Sequence, residues 1–445
     1  MEQVINKNDE LVVEIIDYGA NGEGIAKING YTIFVIGALK GEKCKIHIIK
    51  VLKTHAFAKV IEILEKSKFR VDSDCESFPR CGGCALRHID YNETLRIKRE
   101  NVQNLVNKMM TNKVKVSDTI GMEGHCNYRN KAIYPVSKDG KVGIFAARSH
   151  EIIPFEECKI QTIISQEIAK YIVKNWNGSF YDEEKNIGTL RNIMIREGFK
   201  TGEIMVVLVE NGLDENAIDI KKMIKEFPRI KTVVVNINTK KTNVVLSYEN
   251  ELLYGDGTIT DILGDYKFKI SANSFYQVNP VQTERIYNLA IEKANLNKDD
   301  ILCDLYCGIG TIGIFASKYV KKVYGIEIVP QAIENAKENA EINGIENIEF
   351  IEGDVEIAFD KLLKNDIKTN VVIVDPPRKG LDDNTISNLN KLKLDRLVYV
   401  SCNPATLVRD LEKLSEVYNV ENIIPVDNFC YSTHIENIAI LKLKK

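Results

Sequence analysis

The stretch LVYVSCNP at residues 397–404 decides how the last part of the chain folds. Four apolar, β-type residues are followed at once by a polar cluster, and VVIVDPPR at residues 371–378 repeats this arrangement. Short unbroken apolar runs are typical of buried parallel strands, and open α/β sheets carry their chemistry at the carboxyl ends of such strands. We therefore predict that Cys402 lies at a sheet edge, where a thiolate can reach a ligand. The alternative is that Cys402 packs as a small buried apolar residue.

The chain from residue 272 onward alternates between β-type runs and helical patterns. We expect strands at 301–305, 322–326, 348–351, 371–374, 397–400 and 438–443, with helices between most of them. Such alternation predicts a doubly wound parallel sheet.

The loop after the first of these strands has the composition of a nucleotide-binding loop. It reads DLYCGIG at residues 304–310, and Gly308 and Gly310 allow the backbone to approach a ligand closely. Glu327 ends the next strand, where a carboxylate can bind the ribose hydroxyls of a nucleoside cofactor. Because Gly313 completes a G-x-G-x-x-G pattern, NAD is an alternative on the letters alone.

Acidic residues at the strand ends favour a different cofactor. Asp304 precedes the glycines, Asp354 follows the third strand and Asp375 follows the fourth. No set of residues for hydride transfer accompanies them. In this order the motifs resemble those of S-adenosylmethionine-dependent methyltransferases.

The first 64 residues carry several short β-type runs separated by glycine-containing turns, which predicts a small β-barrel. The segment from Lys40 to Lys59 is rich in lysine within a chain whose net charge is −3. These lysines are either a solvated strand face or a surface that contacts phosphates. The segment resembles a TRAM domain, which is an RNA-binding barrel found in RNA-modifying enzymes.

Three of the ten cysteines cluster, in the stretch CESFPRCGGC at residues 75–84. The thiols of Cys75, Cys81 and Cys84 can converge on one metal centre, and Cys158 is the best candidate for a fourth ligand. Four cysteines suit either zinc or an iron–sulfur cluster. The long separation from Cys158 weakens the zinc alternative, and the absence of any metal is a third possibility.

Three motifs carry a resemblance to a known family: DPPRKG at 375–380, SCNP at 401–404 and HIEN at 434–437. Together they resemble the RNA 5-methyluridine methyltransferases. With the barrel and the four cysteines, the likeness is strongest to the iron–sulfur 23S rRNA uracil-5-methyltransferases, and it covers essentially the whole chain.

This resemblance implies three domains. Residues 1–64 would be the TRAM barrel, and residues 65–271 would be an α/β central domain that holds the iron–sulfur site. Residues 272–445 would be a Rossmann-like methyltransferase domain. The helical segment at about 91–120 would pack back onto that last domain.

The resemblance also implies roles for single residues. Cys402 would be the nucleophile that adds to carbon 6 of uracil, and Glu436 the base that removes the carbon 5 proton. The expected contacts of S-adenosylmethionine, from the family and from the loop pattern, are Gln277, Asp304, Tyr306, Gly308, Gly310, Glu327, Asp354 and Asp375. The expected ligands of a [4Fe–4S] cluster are Cys75, Cys81, Cys84 and Cys158.

Other functions remain open on the sequence. An RNA cytosine-5 methyltransferase usually carries a second cysteine in the Asp-Pro-Pro region, where this chain has Arg378. A non-catalytic RNA-binding or rRNA assembly factor is an alternative from a different functional class. Such a protein would be expected to have lost Cys402 or Glu436, and this chain has both. The RNA is expected to be 23S rRNA, with tRNA as the alternative.

Whole-chain features set the expected location. Residues 1–4 begin neither the basic nor the apolar part of a signal peptide, and no run approaches the roughly 18 apolar residues of a membrane span. We therefore expect a cytoplasmic, monomeric protein with an RNA partner and no membrane partner.

Overall fold

A computed structural model describes residues 5–214, 216–364 and 369–444 of the chain. The first predicted domain was expected to begin at residue 1 and the last to end at residue 445, and both of these residues lie outside the described ranges. The segment 1–4 also lies outside them. No helix in the described ranges is long and apolar enough to cross a membrane.

The N-terminal part is a six-stranded β-barrel. Its strands are β1 (Glu10–Glu14), β2 (Asp17–Tyr18), β3 (Gly24–Ile28), β4 (Tyr31–Ile36), β5 (Lys43–Val51) and β6 (His55–Glu65). They are ordered β1-β5-β6-β4-β3-β2, with only the β4–β6 pair parallel among them. The N–H of Ile16 donates to the carbonyl of Ile25 (2.8 Å), which brings the two ends of the sheet together. Alternate side chains such as Ile33, Ile46 and Ala58 fill the interior.

A second sheet forms the middle of the chain. The elements there are β7 (Lys131–Pro135), β8 (Gly143–Phe145), β9 (Ile152–Pro154), α2 (Ile163–Lys174), β10 (Leu190–Glu197), β11 (Ile204–Glu210), α3 (Ile220–Glu226), β12 (Ile230–Ile237), β13 (Asn250–Tyr254), β14 (Thr258–Leu263) and β15 (Tyr266–Ser271). Five strands pair in the order β13-β12-β11-β10-β7, while β8–β9 and β14–β15 form separate hairpins.

The C-terminal part contains a seven-stranded sheet flanked by helices. Its elements are α4 (Pro280–Ala294), β16 (Ile301–Leu305), α5 (Thr311–Ser317), β17 (Lys322–Glu327), α6 (Pro330–Ile342), β18 (Ile348–Glu352), α7 (Val355–Lys364), β19 (Val371–Val374), α8 (Asp383–Leu392), β20 (Arg396–Ser401), α9 (Pro404–Leu414), β21 (Tyr418–Val426) and β22 (Glu436–Leu443). The strand order is β18-β17-β16-β19-β20-β22-β21.

The expectation of an entirely parallel sheet was wrong. The five strands from β16 to β20 are parallel to their neighbours, but β22 runs antiparallel to β20 and β21 runs antiparallel to β22. The sheet is therefore mixed. An apolar run indicates a buried strand but does not encode its direction, so this reversal could not be predicted from the sequence.

Helix α1 (Tyr91–Met109) connects the N-terminal half to this sheet. It begins where the Asp90 carboxylate accepts from the N–H groups of Asn92 and Glu93, a side-chain cap of the first turn. Its apolar side chains join the core under β19, β20 and α9. The following segment is extended, and Val116 and Ile120 form bridges with β21.

Candidate active site

Cys402 and Glu436 lie close together at the carboxyl edge of the seven-stranded sheet. The antiparallel register of β20 and β22 ends with Ser401 paired to Asn437, and Cys402 and Glu436 are the adjacent residues. The charge of Glu436 acts on the Cys402 thiol. Asp375 follows β19, the other neighbour of β20, and so ends at the same edge. Glu436 is buried, and Cys402 is half-buried. The two residues that sequence reasoning assigned as nucleophile and base are thus brought together.

Burial sets the protonation of this cluster. It raises the pKa of Glu436 to about 8, and the negative charge of Asp375 adds to the effect. Burial alone raises the pKa of Asp375 to about 7. Burial, Glu436 and Asp375 together raise the pKa of the Cys402 thiol to about 11. The thiol is therefore protonated at neutral pH, and nucleophilic attack requires that its proton be taken up during the reaction.

The glycine loop after β16 presents open backbone beside buried carboxylates. Gly308 has a φ of +54°, and a Cβ placed there would meet nothing within 4 Å. Asp304 accepts from the N–H of Gly313 through Oδ2 (2.8 Å), while its buried Oδ1 has no hydrogen-bond partner among the described residues. Glu327 accepts from the N–H of Gly308 (3.2 Å). Open backbone and an unpaired buried acceptor are what a nucleoside cofactor needs.

Gly310, in the same loop, packs closely against Phe350. Its φ is +82°, and an added Cβ would lie 2.7 Å from Cζ of Phe350. This residue lets the loop pack against β18, and its predicted contact with the cofactor stays a prediction.

The remaining predicted cofactor residues are Tyr306, Asp354 and Gln277. Tyr306 has a φ of +65°, unusual for a bulky residue and typical of strain held at a functional site. Its hydroxyl lies 3.5 Å from Asp382, and the charge of the exposed Asp354 helps to raise the pKa of Tyr306 above its usual value. Gln277 precedes α4, and its backbone carbonyl accepts from Asn130 (3.0 Å).

The four predicted cluster cysteines line one cavity of about 550 Å³. Cys75, Cys81 and Cys84 enter it from one segment, and Cys158 enters it from the turn before α2. Burial and the charges of the other three thiols outweigh the nearby Arg87 charge and raise the pKa of the Cys84 thiol to about 12. Within the described ranges, however, no group of three or more His, Cys, Asp or Glu side chains is placed to hold a metal ion.

Comparison with known proteins identifies the family. Residues 90–444 match the family model described as tRNA (Uracil-5-)-methyltransferase, and residues 6–61 match that of the TRAM domain. The chain belongs to the RNA uracil-5-methyltransferase family. The predicted family, its S-adenosylmethionine dependence and the N-terminal TRAM domain are thereby confirmed. Neither the iron–sulfur cluster nor the choice of RNA follows from these matches.

Several relatives of this uracil-5-methyltransferase span its whole length. An uncharacterized RNA methyltransferase of Clostridium acetobutylicum is 45% identical over 99% of both chains. One from Halalkalibacterium halodurans is 43% identical over 99% of this chain and 98% of its own. The structure is similar to that of Pyrococcus abyssi tRNA (uracil-54, C5)-methyltransferase in complex with S-adenosyl-L-homocysteine, with a TM-score of 0.77 and 26% identity over 97% and 100% of the two chains.

Three residues at the methyltransferase site escaped the sequence reasoning. Arg378 lowers the pKa of Cys402 through its charge and a side-chain hydrogen bond. Burial of Tyr287 of α4 raises its pKa, and the charges of the nearby Asp375, Asp304 and Glu436 carboxyls act in the same direction. Arg378 stood in the DPPR stretch, but nothing in the sequence pointed to Tyr287.

Asn428 is the third of these residues. It is fully buried beside Glu436 and lowers the pKa of that carboxyl. Neither Nδ2 nor Oδ1 of Asn428 has a hydrogen bond of normal geometry to a described residue. The amide therefore retains both a donor and an acceptor next to the candidate base.

Proposed function

We propose that this protein methylates carbon 5 of a uridine in RNA, with Cys402 as nucleophile and Glu436 as base. The observation that carries the proposal is the pairing of Ser401 with Asn437, which brings the adjacent Cys402 and Glu436 close together, with Asp375 near the same thiol. Carbon 5 of uracil is a weak nucleophile, so direct methylation is slow. Addition of the Cys402 sulfur to carbon 6 makes carbon 5 electron-rich, which divides one difficult step into easier ones.

The residues around the thiol account for the movement of protons. The Cys402 thiol loses its proton to solvent before the sulfur attacks carbon 6, and Arg378 is the nearby cation that favours the resulting thiolate. After carbon 5 has accepted the methyl group, Glu436 removes the carbon 5 proton, the bond from sulfur to carbon 6 breaks, and the double bond between carbons 5 and 6 is restored. The uracil must leave its stack to reach these groups.

S-adenosylmethionine supplies the methyl group from the side of the glycine loop. Open space above Gly308 and the unpaired Oδ1 of Asp304 support its binding there. Glu327, at the end of β17, would hold the ribose hydroxyls. Tyr306, Asp354, Asp375 and Gln277 complete the proposed contacts.

A covalent trap tests the catalytic roles. With the Glu436→Gln variant, the uracil should still receive a methyl group, but the bond between Cys402 and the RNA should not break. Protein and RNA should therefore stay joined on a denaturing gel. Cys402→Ala should form neither product nor adduct. Turnover by Cys402→Ala, or an adduct that survives this substitution, would refute the assignment of the nucleophile.

The cysteine cavity supports the predicted [4Fe–4S] cluster. All four thiols line one cavity, and this is the observation behind the proposal. Four cysteine thiolates are the usual ligands of such a cluster. Held there, the cluster would tie residues 75–84 to Cys158.

Iron and sulfide content measured after anaerobic purification tests the cluster. Cys84→Ser should lose both, whereas Cys126→Ser, a change at an exposed cysteine outside the proposed set, should retain both. Zinc in place of iron, or equal iron in the two variants, would contradict the proposal.

The proposed substrate is 23S rRNA, on the combined pattern of TRAM barrel, four cysteines and catalytic motifs. The Pyrococcus abyssi enzyme of similar structure acts on tRNA, so tRNA is the second candidate. A map of 5-methyluridine in total RNA, with and without the gene, separates them. Loss from rRNA alone supports the proposal, and loss from tRNA alone overturns the choice of substrate. The cytoplasmic location and the monomeric state remain predictions from the sequence.

A further inference from the structure

The side chain of Asn428 is a buried amide without a hydrogen-bond partner of normal geometry. Asn428 is completely excluded from solvent, and this holds for both Nδ2 and Oδ1 among the described residues. A buried polar group that makes no hydrogen bond costs free energy, so such groups are rare in folded proteins. An amide in this state calls for a role that offsets its cost.

The fold holds Asn428 beside the candidate base. The register of β21 and β22 pairs Val426 with Glu436, and the N–H of Asn428 donates to the carbonyl of Val426 (3.0 Å), directly after that pair. The Asn428 amide is close enough to the Glu436 carboxyl to lower its pKa. The first residues after β21 are thus folded back against the carboxyl at the start of β22.

Helix α4 fixes the backbone at this point. The side chain of Asn279, its N-cap residue, donates to the carbonyl of Asn428 (3.1 Å), and Gln282 donates to the carbonyl of Asp427 (2.9 Å). Both bonds use backbone carbonyls of the loop. The amide side chain of Asn428 therefore does not hold the loop, and no hydrogen bond of normal geometry to a described residue opposes its rotation.

The titratable and charged groups that face Glu436 come from three neighbouring elements. Asp375 follows β19 and raises the pKa of Glu436, whereas Arg378 lowers it. The Cys402 thiol follows β20, and the Tyr287 hydroxyl comes from α4; the charge of Glu436 raises the pKa of both. None of these groups is a neutral amide, which can donate or accept a hydrogen bond without a change of charge.

The proposed reaction changes what Glu436 requires from a neighbour. Before it takes the carbon 5 proton, the carboxylate has only acceptor oxygens, and once it holds that proton it carries one O–H donor. An amide suits both states. Its Nδ2 can donate to the carboxylate, and after rotation of the amide its Oδ1 can accept from the carboxylic acid.

We propose that Asn428 is the positioning residue of the base and holds the Glu436 side chain in place in both protonation states. Both ends of the amide are available for this exchange, because neither has another partner among the described residues. Asn428 acts through Glu436 and not on the uracil, since its side chain is excluded from solvent. The inference rests on the proposed function, because it assigns a partner to the base of that reaction.

Replacement by an apolar side chain of similar shape tests this role. Asn428→Leu removes both amide groups, so the pH at which product release levels off should rise by about one unit, and release at pH 7 should slow about tenfold. The variant should be at least as stable as the parent, because the change removes an unpaired buried amide. Single-turnover release and urea unfolding measure the two effects. Lower stability with an unchanged pH profile would overturn the inference, since a merely structural residue gives that result.

Gln282→Leu is the matched control in the same region. It removes the hydrogen bond from α4 to the carbonyl of Asp427 and leaves the Asn428 amide in place. This variant should therefore lose stability while its pH profile of release stays that of the parent. A pH profile that shifts as far in Gln282→Leu as in Asn428→Leu would assign the effect to the loop backbone and overturn the role of the amide.

Titration of the Glu436 carboxyl itself separates this inference from the proposed function. Carbon-13 NMR of full-length protein labelled at the glutamate carboxyls follows the titration without RNA, and Glu436→Gln identifies the signal. A higher midpoint in Asn428→Leu than in the parent supports the inference even where no methyl group is transferred, and the missing transfer would then count against the proposed function alone. Equal midpoints in the two proteins would overturn the inference.

Discussion

The protonation state of Glu436 should control the release of the methylated RNA. Burial and the charge of Asp375 raise its pKa to about 8, so the carboxyl is largely protonated at neutral pH. A base must be deprotonated, and the rate of release should therefore rise with pH and level off above about 8. Single-turnover release of product, followed as a function of pH, measures this inflection.

Arg378→Gln provides the control for this pH dependence. The Arg378 charge holds the pKa of Glu436 down, so its loss should move the inflection to higher pH. Arg378 is exposed, which makes a folding defect unexpected. An inflection near the ordinary carboxyl value of about 4.3, or no shift in the variant, would show that another group limits release.

Substitutions of the two glycines in the cofactor loop should have different effects on cofactor binding and on protein stability. Gly308→Ala places a methyl group in open space, so it should weaken the binding of S-adenosylhomocysteine with a stability loss of only about 1 kcal/mol from the positive φ. Gly310→Ala adds a clash with Phe350 and should cost at least about 2 kcal/mol. Calorimetric titration measures the affinity for S-adenosylhomocysteine, and urea unfolding measures the stability of both variants. Equal losses of affinity and of stability in the two variants would contradict the prediction.

Single residues also show where sequence reasoning stops. Cys402 and Glu436 were found because short motifs surround them, and the structure brings them together through a strand register. Tyr287 and Asn428 come from a helix and a loop distant along the chain, and each lies in the site only through tertiary packing. No motif or residue spacing in the sequence indicates these tertiary contacts.

At the scale of elements, a buried ion pair joins α1 to the loop that follows β21. Lys98 Nζ lies 2.6 Å from Asp427 Oδ1, with both side chains almost fully buried, and it also donates to the carbonyl of Phe429 (3.0 Å). The hydroxyl of Tyr91 donates to the other carboxylate oxygen of Asp427 (2.7 Å). The start of the segment that leads to Glu436 is therefore held by α1.

Breaking this pair should be strongly destabilising. Lys98→Met leaves the Asp427 charge buried and unpaired, which costs about 3–5 kcal/mol. The matched control is Lys413→Met, since the Lys413–Asp383 pair is exposed and such pairs contribute less than about 1 kcal/mol. Urea unfolding of both variants measures the difference. Losses of equal size would mean that the buried pair does not anchor the loop.

Sequence patterns were sufficient for most of the parallel strands but not for the end of the sheet. The strand over 371–374 matches β19, because an unbroken apolar run has one interpretation in a buried sheet. β21 was missed, since YNVENIIPV mixes polar residues and a proline with its apolar ones. Proline is tolerated there because β21 lies at the edge of the sheet.

At the scale of the whole molecule, the segment that follows the cysteine cluster contacts the loop between β21 and β22. The carbonyl of Tyr431 accepts from the N–H groups of Ala85 and Leu86 (2.8 Å each), directly after Cys84. The guanidinium of Arg87 lies 4.7 Å above the Tyr431 ring. Leu86 also lies against Gly22 of the barrel. The cysteine site, the barrel and the catalytic segment thus share one contact region.

Disruption of the cysteine site should therefore loosen the segment that ends at Glu436. If Cys84 binds the proposed cluster, Cys84→Ser removes that attachment of the backbone, so the hydrogen bonds from Ala85 and Leu86 to Tyr431 should open more often. Hydrogen exchange followed by mass spectrometry should show faster exchange in peptides that cover 85–86 and 427–436, with β16 and β19 unchanged. Cys126→Ser should exchange like the parent, because Cys126 is exposed and outside the predicted ligand set. Faster exchange limited to residues 75–84 would show that the cysteine site and the catalytic segment are independent.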